Sequence, residues 1–251
     1  MITSPSNAFL SIKNKIRSHF ARPSEDVIRQ YKLNGISLKL TDFAGSLATD
    51  CIISELREDH YGINQISFKE DDVVVNIGSH VGGFPIYLAK RFPLLKIFAF
   101  EPMPENARHF RKNIELNKIK NIVLTESAVT KDSRDLDIIV HISNTGGATA
   151  QLDNMQISNH LKFTVKSTTL DQIFKKYAIN KCKLLTIDCE GSEYEILFST
   201  NCLNKIDYLS GEFHINKHLE KQGYSQDKLI NHIQRFISGD HINLVRSPMA
   251  E

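Results

Sequence analysis

The chain has no tryptophan, only four cysteines and a formal charge of only +2 over 251 residues, from 31 basic and 29 acidic side chains. Each shortage excludes a class of protein. A near-balanced charge leaves no footprint for a polyanion, so nucleic acid is not expected as a partner, whereas a small anionic ligand stays compatible. Cys51, Cys182, Cys189 and Cys202 form no C-x-x-C pair. Four such residues in a chain this long make neither a disulfide scaffold nor a zinc site, and they read as reduced thiols of a cytoplasmic protein. No apolar run is long enough to span a bilayer. Residues 1–18 mix Phe9, Leu10, Ile12 and Ile16 with Lys13, Lys15 and Arg17. That is a poor secretion signal and suits an amphipathic helix packed on the domain, with contact to a membrane or partner as the alternative.

What is present is the composition of a folded domain, with 41% hydrophobic and 24% charged residues. Residues 1–70 read as a mostly helical extension, with helices near 7–20, 24–33 and 47–58. Ser24 followed by Glu25 and Asp26 supplies a cap and acids suited to a helix start. From residue 71 to 251 the pattern alternates. Strands are expected at 73–77, 96–101, 121–126, 136–142, 162–167, 183–188, 207–213 and 241–246. Helices are expected at 82–92, 104–117, 170–178, 191–199 and 226–237. This rhythm predicts an α/β, Rossmann-like doubly wound domain, its mostly parallel sheet covered by helices on both faces. Residues 143–149 (Ser-Asn-Thr-Gly-Gly-Ala-Thr) break the rhythm and read as a mobile loop or a surface hairpin.

The most informative stretch is 72–101. Val73-Val74-Val75 leads into Asn76-Ile77-Gly78-Ser79-His80-Val81-Gly82-Gly83, a helical stretch follows, and Ile97-Phe98-Ala99-Phe100 stops at Glu101-Pro102. Strand, glycine turn, helix, strand, acid is a nucleotide-cofactor arrangement. The glycines let backbone approach a ligand, and the acid at the next strand tip can accept hydrogen bonds from a ribose. Dinucleotide sites use G-x-G-x-x-G, whereas here the spacing is Gly78-x-x-x-Gly82. A cofactor without pyrophosphate, such as S-adenosylmethionine, suits that turn better. Glu101 would then hold both ribose hydroxyls, with Pro102 and Met103 on one face of the adenine and Ser127 and Ala128 on the other. Other expected strand tips also carry acids: Glu126, then Asp188-Cys189-Glu190-Gly191, then Glu212-Phe213-His214.

Val75–Gly82 resembles the first motif of class I methyltransferases. Phe100-Glu101-Pro102-Met103-Pro104-Glu105-Asn106 with Asn113–Asn117, and Leu185–Leu197 with its Asp188-x-Glu190-Gly191-x-Glu193 string, resemble the FkbM methyltransferase family. Ala128-Val129 and Thr169-Leu170-Asp171 also fall where that family has counterparts. The resemblance covers roughly residues 70–215. It implies an S-adenosylmethionine-dependent methyltransferase, most often acting on a hydroxyl oxygen of a biosynthetic intermediate such as a sugar or polyketide. Two positions depart from the family pattern. Asn76 stands where the first strand usually ends in Asp, and Thr186 where Lys usually precedes the D-x-E-G string.

The expected cofactor contacts are Asn76, Gly78, Ser79, His80, Gly82, Glu101, Pro102, Met103, Ser127, Ala128 and Asp188. Methyl transfer to a hydroxyl needs alignment and removal of a proton. Asp188, Glu190, Glu212 and His214 are the candidates beside the acceptor. His214 is the expected base, with Asp188 and Glu190 positioning ligands. Asp188, Glu190 and Glu212 could also form an oxygen-rich Mg²⁺ site, but the resemblance needs no metal and none is expected. The acceptor is a small molecule, with a peptide side-chain amide as the alternative. Two other functions compete. One is a nicotinamide-dependent oxidoreductase, which the glycine spacing disfavours. The other is a non-catalytic domain with a decayed pocket, which the intact Glu101 disfavours. The front section is a possible lid or homodimer contact.

Overall fold

The computed structural model describes residues 26–141, 144–149 and 160–248. The expected helix at 7–20 lies outside these residues, as do Ser24, Glu25 and Ser143.

The chain opens with strands β1 (Asp26–Leu33) and β2 (Ile36–Phe43), paired antiparallel with Leu33 opposite Ile36. This replaces the helix expected over 24–33. The two connecting residues, Asn34 and Gly35, both have positive φ, 49° and 79°. Asn-Gly is the residue pair that favours a tight hairpin turn with positive φ at both positions. Helix α1 (Ala48–Arg57) follows as expected.

From residue 73 the expected rhythm holds. Strands β3 (Val73–Ile77), β4 (Lys96–Phe100) and β5 (Ile122–Thr125) alternate with helices α2 (Gly83–Arg91) and α3 (Pro104–Leu116). Two-residue strands β6 (Ala128–Val129) and β10 (Ser167–Thr168) pair with one another. Between them β7 (Leu136–His141), β8 (Asn144–Thr149) and β9 (His160–Val165) form a separate antiparallel sheet in the order β8-β7-β9. The strands expected at 136–142 and 162–167 therefore lie outside the main sheet, and 144–149 pairs antiparallel with β7, as the hairpin alternative has it, rather than forming a loop. The chain returns through α4 (Leu170–Lys176), β11 (Cys182–Ile187), α5 (Glu193–Ser199), β12 (Ile206–Ile215), the short α6 (Lys217–Lys221), α7 (Gln226–Ile233) and β13 (Ile242–Pro248).

The main sheet has six strands in the order β13-β12-β11-β3-β4-β5, every neighbouring pair parallel. Its central strands are apolar on both faces, as a covered parallel sheet requires. Val75, Ile77, Leu185 and Ile187 face one core with residues of α4, α5 and α7. Val74, Ile97 and Leu184 face the other. Adjacent residues point to opposite sides because the side-chain period of a strand is two. Each fully buried side chain of this kind stabilises the fold by about 1.5–3 kcal/mol. Leu33, Leu38, Leu40, Ile53 and Leu56 join the second core beside Val74, Phe84 and Phe110, so residues 33–56 share their packing with the α/β unit. Asn113 of α3 clamps β2 to this unit. Its Oδ1 accepts from Thr41 N at 2.6 Å, and its Nδ2 donates to Thr41 O at 3.1 Å and Val81 O at 2.9 Å.

Candidate active site

β3 is the first strand of the parallel sheet in the chain. It lies in the middle, with β4 and β5 on one side and β11, β12 and β13 on the other. The segments leaving β3 and β11 diverge, and such a switch point opens a crevice at the carboxyl ends of the strands. Ile77 and Ile187 are partners in register, and Asp188 N donates to Ile77 O at 3.0 Å.

The glycine turn sits on one side of this crevice. Gly78 has φ +80°, and a Cβ there would collide with the carbonyl oxygen of Asp188. Gly82, with φ +84°, begins α2 in the same left-handed region, and its Cβ would overlap the Phe110 ring. The amides of Gly78 and Ser79 both donate to Phe100 O, at 3.1 and 3.0 Å. That pins the turn to the end of β4, beside Glu101.

Glu101 is 4% exposed. Its Oε2 accepts from His80 N at 2.8 Å, and its Oε1 from Met103 N at 2.9 Å and Asn106 Nδ2 at 3.3 Å. A carboxylate offers about four acceptor positions, so three donors leave room for another. Burial pushes the Glu101 carboxyl up to about 7, against the pull of these three donors. His80, at the turn with φ 49°, is held below the ordinary imidazole range by burial.

Asn76, the penultimate residue of β3, is 5% exposed. Its Nδ2 donates to Thr186 Oγ1 at 2.8 Å, and its Oδ1 accepts from Ser79 Oγ at 2.6 Å. Met103 and Ala128 pack in one apolar cluster with Leu136 and Ile138. Pro102 is half-buried beside them. Ser127 Oγ donates to the carbonyls of Ala128 and Lys166, at 3.0 and 3.2 Å. Glu126 is exposed and paired with Arg111.

On the other side of the crevice β11 and β12 bring acids around an imidazole. His214 is 4% exposed. Its Nδ1 lies 3.1 Å from Glu193 Oε1. Its Nε2 lies 3.6 Å from Glu212 Oε2, 3.7 Å from Glu190 Oε2 and 3.9 Å from Asp188 Oδ1. Glu193 is fully buried and also accepts from Cys189 N at 2.8 Å and Gly191 N at 2.9 Å. It therefore shapes the 188–191 turn and orients the ring together. Glu190 holds a left-handed φ of 53° in that turn. Burial works against a charge on His214, but the neighbouring carboxylates of Glu193, Glu190 and Asp188 outweigh it and lift the ring to about 9. Burial raises Asp188 well above the usual carboxylate range and raises Glu190 too, in both cases against the lowering effect of His214. Tyr61 stands in the same field. Burial, then the charges of Asp188 and Glu55, raise its phenol, whose hydroxyl donates to Glu55 Oε2 at 3.2 Å.

The structure thus gathers the expected residues into two adjoining groups. Asn76, Gly78, Ser79, His80, Gly82 and Glu101 form the first, with Met103 and Ala128 packed nearby. Asp188, Glu190, Glu212 and His214 form the second, and the two meet where Gly78 passes the Asp188 carbonyl. Glu193, Thr186, Asn106, Glu55 and Tyr61 were not among the expected site residues. Glu193 carried a signal, as the second glutamate of its string. Asn106 and Thr186 lie in the quoted motifs, whereas Glu55 and Tyr61 reach the site only through tertiary contacts.

An open parallel α/β domain with a glycine turn and a strand-tip acid at its switch point is the class that the fold and site define. Residues 72–238 match the Methyltransferase FkbM domain, and the chain belongs to that family. It is 22% identical over 147 residues to "Methyltransferase 1" of Beauveria bassiana, a match covering 52% of this chain and 59% of that one. It is 24% identical over 147 residues to hexuronic acid methyltransferase AglP of Haloferax volcanii, covering 58% and 57%. The chain therefore spans less than two thirds of either relative's length. A solved precorrin-6y C5,15-methyltransferase from Geobacter metallireducens superposes with a TM-score of 0.43 and 12% identity, over 71% of this chain and 70% of that one. Among the described residues no helix is long and apolar enough to cross a membrane.

Proposed function

We propose that this chain is an S-adenosylmethionine-dependent methyltransferase acting on a hydroxyl oxygen of a small biosynthetic intermediate. The observation that carries this reading is the placement of Glu101, buried and with acceptor capacity to spare, beside the turn formed by Gly78 and Gly82. A ribose diol presents two hydroxyl donors, and the Glu101 carboxylate is a matching acceptor held rigid by backbone amides. Family membership supports the same cofactor. When bound, S-adenosylmethionine supplies a methyl group on a positively charged sulfur.

The residues of this chain do the rest. Gly78 and Gly82 keep the turn bare of side chains. Met103 and Ala128 offer apolar surface to the adenine. Asp188 lies where the two groups of site residues meet and positions the ligand. The carboxylates of Asp188, Glu190 and Glu212 form the proton-accepting end of the crevice, beside His214. Glu193 holds His214 in place, and Tyr61 and Glu55 wall that end. One relative is named for a hexuronic acid acceptor, which supports a sugar hydroxyl as the first acceptor class to try.

The test is isothermal titration with S-adenosylmethionine and S-adenosylhomocysteine, with NAD as control. The reading expects binding of the first two, lost in Glu101→Ala. Binding of NAD alone would replace it with a nicotinamide-dependent oxidoreductase.

A further inference from the structure

The sequence offers three acids at neighbouring strand tips, and acids alone are no reason to expect a metal. The fold adds an imidazole aimed among them. His214 is buried to all but 4%, and among the described residues no hydrogen bond reaches its Nε2. The nearest carboxylate oxygens, from Glu212, Glu190 and Asp188, stand at 3.6, 3.7 and 3.9 Å. Those separations are too long for hydrogen bonds. They do fit donors that share an ion. Two ligand atoms each about 2.1 Å from a cation stand about 3.0 Å apart at a right angle and about 4.2 Å apart when opposed. One ligand atom each from Asp188, Glu190 and His214 lies within 4.8 Å of the others.

The surroundings have the features of a metal site. The other ring nitrogen, Nδ1, is held by the fully buried Glu193 at 3.1 Å. A carboxylate behind the ring is the usual support that orients a ligating histidine. The Asp188 and Glu190 side chains are 37% and 25% exposed, so an ion can enter and keep positions for water or a substrate oxygen.

We propose that Asp188, Glu190 and His214 bind one divalent cation at the carboxyl edge of β11 and β12, with Glu212 beside it. Two carboxylates and one imidazole suit Mn²⁺ or Mg²⁺, the imidazole favouring Mn²⁺. The ion would lie at the acceptor end of the crevice. There it would hold a substrate oxygen and make His214 a ligand, leaving proton removal to a carboxylate. Ion binding itself does not depend on the methyltransferase reading.

The test uses the whole chain stripped with EDTA and titrated with Mn²⁺, without cofactor or acceptor. Electron paramagnetic resonance follows free Mn²⁺, and its pulsed form detects nitrogen coupled to the bound ion. The expected result is one saturable site with ¹⁴N coupling, which becomes ¹⁵N coupling when only the histidines carry ¹⁵N. That readout needs no variant to fold. Asp188→Asn and Glu190→Gln should each weaken Mn²⁺ binding by at least about tenfold, with circular dichroism confirming their fold. Absence of saturable binding at millimolar Mn²⁺, or a bound ion without histidine nitrogen coupling, would overturn the proposal. Either result can occur whether or not S-adenosylmethionine binds, so the two readings fail separately.

Discussion

Asn76 and Thr186, 110 positions apart in sequence, are register partners on β3 and β11, and the Asn76 amide donates to the Thr186 hydroxyl at 2.8 Å. These are the two positions at which the sequence departs from the Asp and Lys that the family resemblance leads one to expect. They form one contact between two neutral groups. Both groups are buried, where a lone charge is costly and a neutral hydrogen-bonded pair is not.

The contact predicts coupling. Asn76→Asp buries a carboxylate with only hydroxyls facing it, and Thr186→Lys buries an ammonium opposite an amide. Each single variant should lose about 1–3 kcal/mol of stability. The double variant should recover at least about 1 kcal/mol relative to the sum. Urea unfolding of the four proteins measures this, and purely additive losses would refute the pairing.

Glu101 predicts a pH dependence. Its carboxyl is raised to about 7 in the fold. Its contribution to stability is therefore full below the ordinary carboxylate value and is lost as pH rises through about 7. Cofactor binding runs the other way, because a ribose needs the ionised acceptor. Affinity for S-adenosylmethionine should rise about tenfold from pH 6 to pH 8. Glu101→Gln should bind weakly and show a flat profile by calorimetry over the same range.

Gly78 predicts steric intolerance. Any Cβ there meets the Asp188 carbonyl on backbone already at φ +80°. Gly78→Ala should cost roughly 3 kcal/mol or more. Thermal unfolding within a degree or two of the parent would show that the β3 and β11 turns separate more easily than their packing indicates.

Asn113 predicts a large penalty where β2 meets the glycine turn. Its side chain satisfies Thr41 N, Thr41 O and Val81 O, all buried. Asn113→Ala leaves those three backbone groups without that partner, and an orphaned group costs about 1–3 kcal/mol. Hydrogen exchange should show β2 losing protection before β3 and β11.

The α/β rhythm was legible because β3, β4, β11 and β12 are short apolar runs between amphipathic helices, and a buried parallel strand needs little else. The hairpin over 26–43 stands where the residue pattern predicts a helix over 24–33. Its signal, Asn34-Gly35, is two residues long, and Ser24-Glu25-Asp26 offers a competing helix start. The strands expected at 136–142 and 162–167 form as β7 and β9 but outside the main sheet, since residue pattern shows that a segment extends and not which edge it joins. Glu101 was legible as an acid at a strand tip. Glu193 was less so, because its partners, His214 and the amides of Cys189 and Gly191, meet it only once β11 and β12 are paired.

The sequence by itself determined the parallel sheet, the glycine turn and the strand-tip acids, since each depends on neighbours a few residues away along the chain. Tertiary structure alone decided that Asn76 answers Thr186, that Glu193 orients His214, and that His214 Nε2 faces three carboxylates. These depend on strand order and register, and a shift of one residue between β3, β11 and β12 would turn every one of those side chains to the opposite face.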